Sequence, residues 1–275
     1  MTITGTNFSA GATVRFDTTL ATNVSVVSNT SITATTPSHA AGAVNVVVTN
    51  ANGQSATLTN GFTYTTAAPV EVTLLDDDFN DNSVNLAKWS TNNLFSGFTD
   101  STVQSLETTQ RLQIGALFSG QQGSHYNGLR SAAAYNFSGA YSYVELVQGP
   151  ASAGTADAMF TIGPDPSNYY RIYVEAGVFI CQKRIAGAKK NLFTSAYTPS
   201  VHRFWRIRHD QTTGSVVFET ATDLSTGWIF RFSEPWDTAA VPLSSVIFEM
   251  KAGTWQPESV APGTVVFDNF RAARP

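Results

Sequence analysis

Two groups of side chains in this 275-residue chain have the types and spacing to do chemistry. Asp76, Asp77, Asp78, Asn80, Asp81 and Asn82 place oxygen-bearing side chains almost without interruption, and Asp268 and Asn269 lie near the other end of the chain. Calcium takes roughly six to eight hard oxygens from carboxylates, amide carbonyls and backbone, so this run offers a structural ion site. Alternation along a strand sends Asp76 and Asp78 to the side opposite Asp77, so the three cannot all serve one ion through side chains. The same run also suits a solvated strand end in which Asn and Asp form turns.

The second group is a face. With Ala176-Gly177 as a two-residue turn between strands Tyr169–Glu175 and Val178–Arg184, Tyr173 lies opposite Ile180, Arg171 opposite Gln182 and Tyr169 opposite Arg184. The other side of that hairpin carries Ile172, Val174, Phe179 and Cys181, an apolar set for the core. Downstream, Trp205 and Ile207 alternate with Phe204, Arg206 and Arg208, and Phe248 and Met250 alternate with Ile247, Glu249 and Lys251. One sheet face is therefore expected to carry Tyr169, Arg171, Tyr173, Arg206, Arg208, Glu249 and Lys251. Aromatic rings that stack on C–H faces, beside guanidinium and carboxylate groups that bind hydroxyls, suit a sugar. The other reading is an outer face whose charges pair across strands. Trp236, after Glu234-Pro235, Trp255, in AGTWQP, and Tyr126, in GSHYNG, sit beside loop chemistry and are further stacking candidates. Trp89, Trp205 and Trp228 are expected in the core.

The elements that position these groups are strands. Runs of four to eight residues rich in Val, Ile, Thr, Phe and Tyr recur between Gly, Asn and Pro, and helical periodicity is almost absent. Asn85–Trp89 is the one window for a helical turn. Strands are expected at Ala12–Asp17, Thr22–Val27, Ser31–Thr35, around Val44–Val48, Ser55–Leu58 and Phe62–Thr65. Further strands are expected at Ala140–Gln148, Ala156–Ile162, Arg203–His209, Ser215–Thr220, Gly227–Phe232 and Ser245–Lys251. Charged residues make up 13% of the chain and aromatics 12%, against disorder. A net charge of −4 without a basic block argues against nucleic acid. No apolar run is long enough to span a bilayer, and a single cysteine excludes an internal disulfide.

Residues 1–66 hold two charged side chains, Arg15 and Asp17, and seventeen threonines. That break in composition near Thr65-Thr66-Ala67-Ala68-Pro69 marks a domain boundary. ITGTNFSAGATVRF (3–16) and VNVVVTNANGQSATLTNGFTYT (44–65) resemble the IPT/TIG family, which implies an immunoglobulin-like sandwich serving as spacer or interaction module. In that family an apolar first strand precedes ITGTNF. The resemblance therefore implies that the first strand is missing, and that the chain is a piece of a longer multidomain protein. Met1 is followed by neither a basic nor an apolar stretch, so the chain opens without a signal peptide. Low cysteine and charge with abundant Thr, Ser and Asn suit a bacterial extracellular or cell-surface protein.

DDFNDNSVNLAKW (77–89) is similar to the opening of concanavalin A-like, laminin-G-like sandwiches. The stretches HRFWRIRHDQTTGSVVFETATDLSTGWIFRFSEPW (202–236), FEMKAGTW (248–255) and PGTVVFDNFR (262–271) resemble a bacterial branch of the same superfamily. The organisation expected is an IPT/TIG domain over 1–66, a linker over 67–73 and a jelly-roll sandwich over 74–275, an all-β chain throughout. In jelly-roll sugar-binding domains the first and last strands often lie side by side and share an ion. The resemblance thus implies structural Ca²⁺ at Asp78 and Asp268, with backbone oxygens.

The fold hosts lectins, carbohydrate-binding modules, glycanases and adhesins alike. Laminarinase-like relatives carry a Glu-x-Asp-x-x-Glu motif, which is absent here. Alginate-lyase signatures are echoed by VEL, RIRH and FEMKAGTW, but Trp255 stands where the catalytic tyrosine belongs and cannot transfer a proton. His39, His125, His202 and His209 lack metal-ligand spacing. Glu219 and Glu249 remain as a carboxylate pair that could converge. The expectation is a non-catalytic module pair that binds a polysaccharide or cell-surface glycan, with a polysaccharide-degrading enzyme and a structural adhesion module as the alternatives.

Overall fold

β-Branched and aromatic residues alternating with Thr, Ser and Asn favour half-buried strands over helices. The computed structural model describes residues 1–65, 71–91, 94–95, 99–151 and 154–275, and contains twenty-two strands and no helix among them. The Asn85–Trp89 window makes a single turn, with the Lys88 and Trp89 amides donating to the Asn85 carbonyl. The chain divides into two compact units, residues 1–69 and 70–275.

The first unit contains β1 (Thr2–Thr4), β2 (Thr13–Phe16), β3 (Thr19–Leu20), β4 (Thr22–Ser28), β5 (Ser31–Thr35), β6 (Gly42–Thr49) and β7 (Ser55–Tyr64). A three-stranded sheet, β1-β5-β4, and a four-stranded sheet, β3-β2-β6-β7, enclose Val14, Phe16, Ile32, Val44, Val46 and Val48. The two expected strands Ser55–Leu58 and Phe62–Thr65 are one strand, β7. Its register against β6 breaks between Val44 and Val46, beside Asn60 at a φ of 53°.

The second unit opens with β8 (Val72–Asp77), β9 (Trp89–Ser90), β10 (Gln104–Thr108), β11 (Arg111–Leu117), β12 (His125–Ser131), β13 (Tyr141–Gln148) and β14 (Asp157–Asp165). It continues with β15 (Asn168–Glu175), β16 (Val178–Ile185), β17 (Ala188–Ala196), β18 (Phe204–Asp210) and β19 (Ser215–Ala221). The last strands are β20 (Ile229–Pro235), β21 (Ile247–Thr254) and β22 (Gly263–Arg274). Strand β8 begins at Val72, inside the stretch expected as linker, while 67–70 lie outside the described residues.

Two sheets face each other in this unit. One runs β10-β11-β22-β13-β18-β19-β20, with β8 also on β22; the other runs β17-β16-β15-β14-β21-β12-β9. The first and last strands of the unit do lie side by side: Phe270 pairs with Asp77 and Arg271 with Asp76. Between the sheets lie Trp89, Phe160, Tyr170, Phe179, Cys181, Trp205, Phe218, Phe248 and Phe267. The Phe179 and Trp205 rings meet edge to face at 6.2 Å across the two layers. Truncating one such ring costs about 3–5 kcal/mol, so this core holds both sheets rigid beneath whatever their outer faces do.

Candidate functional site

The residue spacing of a hairpin decides which side chains share a face. Ala176 and Gly177 have φ of 50° and 73°, and Ala186 and Gly187 have 49° and 83°. Paired positive φ values make type I′ turns, whose twist matches that of the flanking strands. Strands β15, β16 and β17 are thereby locked in register: Arg171 opposes Gln182, Gln182 opposes Asn191, Tyr173 opposes Ile180 and Tyr169 opposes Arg184.

Across the seven-stranded sheet this register gives four outward rows, about 7 Å apart along the strands. The first is Tyr169, Arg184 and Lys189. The second is Glu249, Thr161, Arg171, Gln182 and Asn191. Lys251, Met159 and Tyr173 form the third, and Tyr126, Asp157 and Glu175 the fourth. Gly253 stands between Tyr126 and Asp157, and a Cβ there would run into the Tyr126 ring and the His125 carbonyl. The glycine lets the tyrosine ring lie across the strand. Apart from the buried Glu249 and Thr161, the residues of these rows line a cleft of about 600 Å³, together with Phe95 and Trp255.

The floor of the cleft is charged and mostly buried. Arg171, 7% exposed, sits between two tyrosines: its guanidinium carbon is 5.3 Å from the Tyr169 ring centroid and 4.3 Å from that of Tyr173. Its Nη1 points at the Met159 sulfur at 2.9 Å. Asp157 accepts a hydrogen bond from the Tyr126 hydroxyl at 2.9 Å. Burial pushes the Asp157 carboxyl up to about 7, against the lowering pull of Arg171, Tyr126 and Lys251. Burial also raises the hydroxyls of Tyr126 and Tyr173. Glu249 lies wholly beneath the surface, raised by burial, with Lys251 Nζ at 3.4 Å and the Phe95 amide donating to it. Gln182 donates to Tyr173 Oη at 3.2 Å and to Asn191 Oδ1 at 2.6 Å. Asp157 Oδ1, Arg171 Nε and Gln182 Oε1 are buried without a partner among the described residues. Trp255, also lining the cleft and 46% exposed, donates its Nε1 hydrogen to Glu175 at 2.6 Å.

The expected face is thus divided between the two sheets. Tyr169, Arg171, Tyr173, Glu249 and Lys251 share the seven-stranded sheet, and Tyr126 and Trp255 join them. Arg206 and Arg208 belong to β18, in the other sheet, and both bind the Glu219 carboxylate, at 2.7 and 3.3 Å. Glu219 and Glu249 therefore stand on different sheets and form no pair. Trp236 is buried, with its Nε1 donating to the Val241 carbonyl and its ring 4.9 Å from Tyr170, so it is core and no stacking platform. Trp228, expected in the core, is half-buried on the outside, with the Arg206 guanidinium 4.1 Å above its ring. Tyr169 and Tyr173 present little free ring surface, because Arg171 occupies the space between them.

Asp78 is exposed, and its carboxylate takes the Asn80 amide in a local turn. Asp268 faces Arg111 at 3.4 Å and accepts the Asn269 amide. Asp77 binds the Trp89 indole at 2.7 Å. Among the described residues no three His, Cys, Asp or Glu side chains gather as a metal site.

Sequence reasoning missed Asp157, Glu175, Lys189 and Asn191. Asp157 begins an expected strand, and its alternation with Ala158, Phe160 and Ile162 already placed it opposite the core. The second Ala-Gly pair, at 186–187, repeats the first and signals β17.

Residues 1–65 match the IPT/TIG domain family. No curated protein matches the chain. Among solved structures it is similar to the GH43 protein BlXynB of Bacillus licheniformis, with 11% identity and a TM-score of 0.54 over 84% of this chain. The match takes in 46% of BlXynB, so the chain spans about half the length of that relative. It is also similar to an endo-acting O-glycanase of the human gut microbiota, with 11% identity and a TM-score of 0.54 over 74% of this chain and 99% of the other. The CBM2 module of the evolved Dit protein of Lactobacillus casei BL23 phage J-1 follows, with 8% identity and a TM-score of 0.51 over 74% and 95%. These likenesses show the fold, an all-β chain with jelly-roll sandwich architecture. No helix among the described residues is long and apolar enough to cross a membrane.

Proposed function

We propose that the second unit is a glycan-binding module and that the cleft of its seven-stranded sheet holds the saccharide without cleaving it. The observation that carries this reading is the set of unpartnered buried polar atoms, Asp157 Oδ1, Arg171 Nε and Gln182 Oε1, in a cleft that the half-exposed Trp255 also lines. Leaving such atoms unpaired is costly. A ligand that brings several hydroxyls into one concave site satisfies them together, while an indole face stacks on the ring carbons. Solved relatives named as a carbohydrate-binding module and as glycan-acting proteins support the reading. On this reading the protein works outside the cell, on a polysaccharide or surface glycan, and the IPT/TIG unit acts as a spacer within a longer chain.

Affinity electrophoresis through gels containing soluble polysaccharides tests it. At least one polymer should retard the protein, and Trp255→Ala should weaken that retention about tenfold, the scale of one lost aromatic contact. Free migration through every polymer would overturn it.

One observation favours a second reading, hydrolysis. Asp157 and Glu175 face each other on adjacent strands of the cleft, a cross-strand placement that brings two carboxyl-bearing side chains together, as two-carboxylate glycoside hydrolysis requires. Release of reducing ends, abolished by Asp157→Asn, would replace binding with catalysis.

A further inference from the structure

Three cations in the cleft form no ion pair with a carboxylate among the described residues. Arg184 donates from Nε to the Gly187 carbonyl and from Nη1 to the Pro166 carbonyl, both at 2.9 Å. Among the described residues the Arg171 guanidinium meets the Met159 sulfur and two aromatic rings, with Asp157 close enough to feel its charge but not in an ion pair. Lys189 stands directly opposite Arg184 on β17. None of the three meets a carboxylate in an ion pair among the described residues, whereas Lys251 is matched by Glu249. The lining carboxylates, Asp157 and Glu175, lie at the other end of the rows, and Glu175 already accepts the Trp255 indole. The charge is therefore sorted along the strands, with cations toward the Arg184–Lys189 end and acids toward Trp255. The Lys189 ammonium is held below its usual range by partial desolvation and by repulsion from Arg171 and Arg184, which outweigh the opposing pull of Asp157 and Glu175.

We infer that the saccharide this cleft takes is anionic, and that its carboxylate or sulfate groups seat at the Arg171–Arg184–Lys189 end while a sugar ring stacks on Trp255. This inference rests on the glycan-binding reading and narrows it to a substrate class. Guanidinium groups bind carboxylate and sulfate oxygens through paired, charge-assisted hydrogen bonds. Arg184 stands about one row, or 7 Å, beyond Arg171 along the strands, so the two can hold neighbouring charged groups of one polymer. A neutral glycan would leave those charges unmatched, and desolvating them would cost affinity.

The test uses the whole chain in affinity electrophoresis at fixed ionic strength. Carboxylated probes are polygalacturonate, alginate and hyaluronan; sulfated probes are dextran sulfate and carrageenan; neutral controls are methyl-esterified polygalacturonate and dextran. At least one anionic polymer should bind at least tenfold more tightly than its neutral counterpart. Retention by the carboxylated or by the sulfated set alone identifies the seated group. Lys189→Glu, a change at an exposed position, should weaken anionic retention at least fivefold, and Arg184→Gln should act in the same direction. Arg208→Gln, on the other sheet, should leave retention unchanged and so exclude diffuse attraction. Equal or stronger binding of neutral polymers, or anionic retention indifferent to Lys189→Glu and Arg184→Gln, would overturn the inference while the glycan-binding reading stood. Free migration through every polymer, charged and neutral, would overturn both.

Discussion

The two outer faces of the sandwich carry nearly the same vocabulary of Tyr, Trp, Arg and Glu and use it in opposite ways. On the eight-stranded sheet the arginines around β13, β18 and β22 pair with carboxylates. Arg206 and Arg208 share Glu219, Arg208 also takes Asp210 at 2.8 Å, Arg203 takes Glu145, and Arg271 takes Glu71 at 3.0 Å. On the seven-stranded sheet Arg171, Arg184 and Lys189 meet no carboxylate in an ion pair among the described residues. Composition alone therefore does not mark a binding face. On the glycan-binding reading, what separates the two faces is cationic charge left without an ion pair.

Substitutions on the two faces should separate stability from binding. The largest loss of stability should come from Glu219→Ala, which strands the partly buried Arg206 guanidinium and leaves Arg208 to Asp210 alone: about 3 kcal/mol less stability by urea titration, with glycan retention intact. A stability change below about 1 kcal/mol would mean the paired face does not depend on its pairing. Arg171→Ala should invert that pattern, reducing retention some 30-fold, about 2 kcal/mol, while costing less stability than Glu219→Ala. Similar effects of both on both measurements would erase the distinction between the faces.

Asp157 gives a pH test. Its carboxyl keeps its proton up to about 7 in the fold, whereas in an unfolded chain it ionises near about 4. The folded state thus binds more protons between those values. This stabilising contribution is whole below about pH 4 and is lost as pH rises to about 7, at up to roughly 1.4 kcal/mol per pH unit. Facing it are Arg171, Lys251, Tyr126 and Glu175. Asp157→Asn should flatten the pH dependence of the urea midpoint between pH 5 and 8; an unchanged slope would show that the carboxyl does not titrate there. Retention of an anionic polymer should strengthen as pH falls through about 7, when Asp157 becomes neutral. The smallest effect belongs to the half-exposed Arg271–Glu71 pair. Arg271→Ala should shift stability by no more than about 0.5 kcal/mol.

Much of this molecule was legible in its sequence. Period-two alternation and the Ala176-Gly177 turn fixed the β15–β16 register residue by residue, down to Arg171 opposite Gln182. In-or-out placement of Trp205, Ile172 and Cys181 followed from the same period, and that of Trp89 from its apolar context after the Asn85–Lys88 turn. Alternation tells a core side from an outer side but carries no label for which sheet a strand joins. That is why Arg206 and Arg208 were placed beside Arg171 when they lie on the opposite layer. Trp236 illustrates a second limit: Pro235 beside it signals a loop, yet the chain folds the indole back onto Tyr170 and Phe137. Lys189 and Asn191 escaped because AKKN carries neither alternation nor β-branching, and only the turn before them betrays the hairpin.

The sole thiol, Cys181, belongs to the core between the sheets, and burial pushes it above its usual ionisation range. A sulfur so enclosed cannot meet a water-soluble alkylating reagent until the layers part. Its labelling rate in native buffer therefore clocks how often the sandwich opens, with no tag or engineered probe, and a ligand that clamps the sheet should slow that clock in proportion to its occupancy.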